Sequence, residues 1–197
     1  MNIIVKTASG RIIVRPDTTW EKDNEDFFPP EFVGPISASP VLFARILKPG
    51  RSIGKKFASR YWDAANFGVL LYPEDMIDGS EESYAEACCI DHTSFLPTPL
   101  FQPVTIDFEG NEFVLMKNGE TIFSIESGES KEGMPSVSIE TIEDAIVEAT
   151  KRIYIRTGDL IAIELEPRKP LSKREDGTVQ ISGTWCENST IDFKINY

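Results

Sequence analysis

Asp91-His92-Thr93-Ser94 sets an acid, the chain's single imidazole and two hydroxyls side by side. Such groups could furnish a nucleophile and its base, yet neighbours on one segment rarely aim at a common point, and no second histidine offers another base. A structural or surface role is expected for them. Cys88 and Cys89 lie in the apolar run ACCI, where burial raises a thiol's pKa, so they read as core thiols rather than nucleophiles. With Cys186 they make three cysteines, an odd number with one adjacent pair, which suits neither a disulfide framework nor a zinc ligand set. Glu164-Leu165-Glu166 is different. On a strand, alternate side chains share a face, so the two carboxylates could hold a divalent cation or a basic group; the alternative is a solvent-facing strand end.

Glycine-rich motifs fail on inspection. GRSIGKK, from Gly50 to Lys56, lacks the Ser or Thr that must follow the lysine of a phosphate-binding loop. No G-x-S-x-G, H-E-x-x-H or G-x-G-x-x-G is present.

The elements that must position these groups are mostly strands. NIIVK and RIIVR, joined by TASG, predict an opening β-hairpin. Pro16 to Ser39 reads as a polar surface loop with a few aromatic anchors, and VLFARIL as a strand ended by Pro49-Gly50. Ile53, Phe57, Tyr61 and Ala64 or Ala65 recur at helical spacing, which predicts an amphipathic helix before a buried strand FGVLL. Glu74 to Glu86 predicts one or two surface helical turns, and ACCI a short buried strand. Period-two alternation around Asn118-Gly119 predicts a hairpin, and the spacing after Thr141 a helix from about Ile139 to Tyr154. LIAIELE, TVQISGTW and STIDFKINY are three further strands. The sum is a β-rich α+β fold with about two principal helices.

The 197 residues, 41% apolar, fit one domain. With 32 acidic against 20 basic side chains and a net charge of −12, the field repels phosphate backbones, so no nucleic-acid partner is expected. No run of about 18 or more apolar residues occurs, and MNIIVKTASG lacks the pattern of a signal peptide. A cytoplasmic protein without membrane contact is the expectation.

Taken in order, GRSIGKKFASRYWDAANFGVLLYPEDM, ACCIDHTSF, the hairpin around KNGE, the helix after Thr141 and RTGDLIAIE resemble the short bacterial members of the fumarylacetoacetate hydrolase family. The resemblance spans Val41 to Tyr197, leaving 1–40 as a divergent N-terminal hairpin and loop before a core of 41–197. It implies a twisted mixed β-sheet rolled around the active site, a homodimer, and Mg²⁺ or Mn²⁺ chemistry on acylpyruvate-type keto acids. The cation there is held by carboxylates and polarises a keto-acid oxygen.

Matching strand and helix places the family's Glu-x-Glu pair at Ser39 and Val41 and its third ligand, an aspartate, at Leu70. Its active-site lysine falls near Cys88, and its Gly-Thr-Pro loop is replaced by Glu164, Leu165 and Glu166. The His and Glu acid/base pair finds no match, since Pro16–Ser39 contains no histidine. The resulting expectation is a protein without metal or cofactor, acting as a binding or oligomeric-partner subunit. Two rival readings stand beside it: a metal-dependent hydrolase, isomerase or decarboxylase rebuilt around Glu164, Glu166, Asp91 and His92, and a small-molecule binder using the old cavity.

Overall fold

The computed structural model describes residues 1–197. In chain order the elements are β1 (Asn2–Lys6), β2 (Ile12–Pro16), β3 (Trp20–Glu21), β4 (Ile36–Ile46), β5 (Trp62–Pro73), α1 (Glu81–Ala87), β6 (Ser94–Phe95), β7 (Glu112–Lys117) and β8 (Glu120–Glu126). There follow α2 (Ile139–Thr150), β9 (Leu160–Glu164), β10 (Lys169–Ser172), β11 (Thr178–Trp185) and β12 (Asn188–Asn196). Eight strands form a mixed sheet in the order β2-β1-β9-β4-β5-β6-β3, with β10 pairing to the start of β4. A second, antiparallel sheet runs β12-β11-β7-β8.

The large sheet curls upon itself. Its two outermost strands, β2 and β3, are consecutive in sequence and separated only by the 3₁₀ turn Asp17–Thr19, so its edges must meet. Period-two alternation then divides every long strand between the outside and the inside of the roll. Ile36, Ala38, Leu42, Ala44 and Ile46 of β4, with Ala65, Phe67, Val69 and Leu71 of β5, face outward into a core of 37 buried residues that includes α2 and the second sheet. Val41, Phe43, Leu70, Tyr72, Ile3, Val5, Leu160 and Ala162 face inward, joined by Cys88 and Leu96. Gly68 permits the close approach of β6: a Cβ there would stand 2.3 Å from the Phe95 carbonyl oxygen.

The N-terminal hairpin and the hairpin at Asn118-Gly119 form as expected, both turn residues having positive φ. α2 also forms, capped by Ser138, whose hydroxyl accepts from the Thr141 amide at 3.2 Å. The helix expected over Ile53–Ala65 does not. Only a 3₁₀ turn, Lys55–Arg60, occurs, and Ala64 and Ala65 belong to β5, which pairs with β4 along its whole length. Pairing of eleven of the twelve residues of β5 on a buried sheet outweighs the weak helical spacing of four.

Residues 36–39, expected in a surface loop, are the buried start of β4, so a boundary at residue 40 falls inside a strand. ACCI is no strand. Ala87 ends α1, Cys88 is buried beyond it and Cys89 is exposed, because a short helix buries only one face.

Candidate functional site

The inside of the roll is small and apolar. Leu70 and Val41 are both 0% exposed and share one cluster with Phe43, Tyr72, Cys88 and Leu96. Ser39, also buried, donates its hydroxyl to the Glu166 carbonyl at 2.6 Å. The positions at which the resemblance implies three metal-binding carboxylates therefore hold two hydrocarbon side chains and a hydroxyl bonded to the backbone. They do not fit a divalent cation, which requires several oxygen ligands converging on one point. Nowhere in the chain do three or more His, Cys, Asp or Glu side chains gather as metal ligands do.

A basic side chain lies inside the roll. Arg15 on β2 is fully buried and reaches across to the far strands, donating from Nη2 to the Leu71 carbonyl at 3.0 Å and from Nη1 to Ser94 Oγ at 3.2 Å. Nη1 also lies 3.3 Å from both the carbonyl and hydroxyl oxygens of Thr93. The guanidinium stands 4.4 Å from the Tyr72 ring centroid, a cation–π contact. No carboxylate touches it directly. Tyr72 instead donates its hydroxyl to Glu164, whose other oxygen accepts from the Ala8 amide at 2.7 Å. Burial pushes the Glu164 carboxyl above its ordinary value, against the hydrogen bonds from Tyr72 and Ala8. Arginine on a two-strand hairpin reads from sequence as a surface residue, and nothing in the local pattern signals that the edges of the sheet meet around it.

Above this network, at the end of the roll where β1, β5 and β9 finish and β4 begins, a cleft of about 650 Å³ opens. Its lining includes Thr7, Ser9, Ser37, Glu74, Tyr84, Glu164 and Arg168. Tyr84 of α1 stacks on Tyr72 at 5.9 Å, and burial pushes its phenol up to about 12. Arg168 donates from Nε to Glu74 Oε1 at 2.8 Å, and the same oxygen accepts the Ser37 hydroxyl.

Glu164 and Glu166 do not share a face. β9 ends at Glu164 and the chain bends at Leu165, whose amide donates to the Pro40 carbonyl. Glu164 thus lines the mouth of the roll, while Glu166 pairs with Lys169 beside a different, apolar cavity with Leu115 and Phe123. Neither is a solvent-facing strand end, since both are buried.

Asp91 and His92 line a third cleft, with Cys89 and Phe28. His92, its side chain 57% exposed, places Nδ1 3.1 Å from Glu21 Oε2, and Glu21 is 5% exposed. The other oxygen of Glu21 accepts the Asp23 amide at 2.7 Å. This pairing escaped sequence reasoning because the partners are 71 residues apart. Thr93 and Ser94 serve Arg15, as a structural role requires. The four candidate residues are therefore distributed over three separate clefts, and no metal centre built from them assembles.

No family model and no curated protein matches the sequence. Solved structures do match. A protein from Yersinia pestis described as of the fumarylacetoacetate hydrolase family aligns over 98% of this chain and 91% of its own, with a TM-score of 0.79 at 12% identity. Fumarylpyruvate hydrolase from Pseudomonas aeruginosa, solved with Mn²⁺ and pyruvate, aligns over 100% and 89%, with a TM-score of 0.78 at 12% identity. The 2-hydroxyhepta-2,4-diene-1,7-dioate isomerase from Mycobacterium marinum aligns over 99% and 74%, with a TM-score of 0.78 at 15% identity. The chain has the fold of these hydrolases and isomerases, including in its first forty residues.

Proposed function

We propose that this chain is a non-catalytic protein on the fumarylacetoacetate hydrolase fold, acting as a binding or oligomeric-partner subunit, as a homodimer. One observation carries the reading: the interior that houses metal chemistry in the resembled family is here packed with Val41, Leu70 and Cys88 and spanned by Arg15. Carboxylates at positions 39, 41 and 70 would be needed to hold a cation and orient a keto acid, and none is present. The separation of Glu164, Glu166 and Asp91 into different clefts supports the same reading, since these three do not converge on one cation.

The test pairs binding with turnover. A ligand at a hundred times its dissociation constant adds about 2.7 kcal/mol to stability, so metal binding would be plain in a melting curve. Millimolar Mg²⁺ or Mn²⁺ is expected to leave the melting temperature unmoved, with no hydrolysis of acylpyruvates and no decarboxylation of oxaloacetate. Metal-dependent turnover abolished by Glu164→Ala and Glu166→Ala would replace this reading with that of a rebuilt enzyme. Light scattering that returned a monomer mass across the micromolar range would remove the homodimer.

A further inference from the structure

We infer that the cleft at the mouth of the roll binds a small zwitterion of the α-amino-acid class, with Arg168 receiving its carboxylate and Glu74 its ammonium group. The inference rests on the non-catalytic binding reading and gives its site an occupant. Three features of the cleft lead to it.

The first is the state of Arg168. Its guanidinium lies against the rings of Tyr84 and Tyr72, 5.7 Å and 5.8 Å from their centroids, and only Nε is engaged, with Glu74. The two terminal nitrogens make no hydrogen bond within the protein, which leaves a planar fork of the shape that receives a carboxylate.

The second is the opposite charge beside it. Glu74 Oε1 takes both Ser37 and Arg168, while Oε2 has no partner. Glu164 faces the same space from the floor.

The third is the balance between them. A simple carboxylic acid would satisfy Arg168 and face Glu74, and a simple amine would satisfy Glu74 and face Arg168. A ligand carrying both charges meets each with its complement. A cleft of about 650 Å³ is of the size that takes a metabolite, and the hydroxyls of Thr7, Ser9 and Tyr84 on its walls suit a polar side chain.

The experiment is calorimetric titration of the full chain with a panel of L-amino acids, set against two single-charge relatives of L-alanine, pyruvate and isopropylamine. Saturable binding is expected for members of the panel and not for either relative. Arg168→Gln and Glu74→Gln are each expected to weaken that binding about tenfold or more, as loss of a charge-assisted hydrogen bond does. Arg168→Lys, which keeps the charge and loses the fork, should recover part of it.

Panel-wide failure to bind at about 10 mM, pyruvate binding as tightly as L-alanine, or folded variants that titrate like the parent would each overturn the inference. Those results leave the non-catalytic reading standing, whereas metal-dependent turnover of a keto acid removes that reading whatever the amino acids do.

Discussion

Leu70→Asp distinguishes a filled interior from an emptied active site. Leu70 is fully buried among Val41, Tyr72, Cys88 and Leu96, so its removal forfeits about 1.5–3 kcal/mol of apolar burial. The incoming carboxyl must then be held neutral at a cost or find a partner. The nearest cation by connectivity is Arg15, which donates to Ser94, the residue opposite Leu70 across β5 and β6. Because Arg15 carries no carboxylate partner, it offsets part of the charge penalty without restoring the packing. The net expectation is about 2–4 kcal/mol, the range for a buried polar group with incomplete partners.

For a chain of this size about 1 kcal/mol moves the melting temperature by roughly 2–4 °C, so the variant should melt about 5–15 °C lower. Leu70→Ala, measured in parallel by thermal and urea unfolding, isolates the packing contribution. Leu70→Asn gives the polar penalty without a charge for Arg15 to meet. A Leu70→Asp protein that melts like its parent would refute the reasoning, since it would place this side chain in water. Leu70→Asp no better tolerated at neutral pH than Leu70→Asn would refute the part assigned to Arg15.

Restoring the implied ligand set with Ser39→Glu, Val41→Glu and Leu70→Asp together should yield an unfolded or aggregated product rather than a Mg²⁺ site, checked by circular dichroism and metal titration. Arg15→Met should cost about 3 kcal/mol or more, because the Leu71 carbonyl and the Ser94 hydroxyl lose a buried donor; urea midpoints measure this. Glu164 gives a pH signature. Its folded pKa lies above the unfolded value of about 4.3, so the stability of its protonated form is full below that pH and is lost as pH rises through the folded value. Wild type should therefore lose stability relative to Glu164→Gln on going from about pH 4 to about pH 7, and the opposite trend in paired denaturation curves contradicts it.

What the sequence disclosed was governed by range. Hairpins at TASG and Asn118-Gly119 and helix α2 are specified within a few residues of one another, and they form where pattern places them, the helix ending at Thr150 rather than Tyr154. Tyr61 to Ala65 misled because helical spacing is a local signal and the pairing of β5 with β4 is not. β10 was invisible for the same reason: Lys169-Pro170 does not look like a strand and becomes one by pairing with Ser37 and Ala38. At the site, Leu70 and Val41 were legible as apolar residues in unexpected places. Glu164 and Glu166 were misread, since the bend at Leu165 that separates them depends on contacts with Ser39 and Pro40. The pairs Glu21–His92 and Arg15–Ser94 join segments more than seventy residues apart, beyond any periodicity.

Closure of the roll accounts for these departures together. With β2 and β3 joined by three residues, the first and last strands of the sheet must come together, and whatever faces inward is removed from water. A ring of carboxylates in that space would demand a cation; hydrocarbon side chains do not. Arg15 supplies a fixed positive charge, and its bonds run from β2 to β5 and β6, across the seam rather than along one strand. Tyr72 stands between Arg15 and Glu164, meeting the cation with its ring and the carboxylate with its hydroxyl, while the charge of Arg15 also acts on Glu164 through space. Electrostatic balance inside the fold is thus met by residues of the chain itself. The groups left with free hydrogen-bonding capacity, Arg168 and Glu74, lie outside that seal, at the mouth. The open cleft and the sealed interior are thus separate parts of the fold: charged groups with unused bonding capacity line the first, and hydrocarbon side chains fill the second.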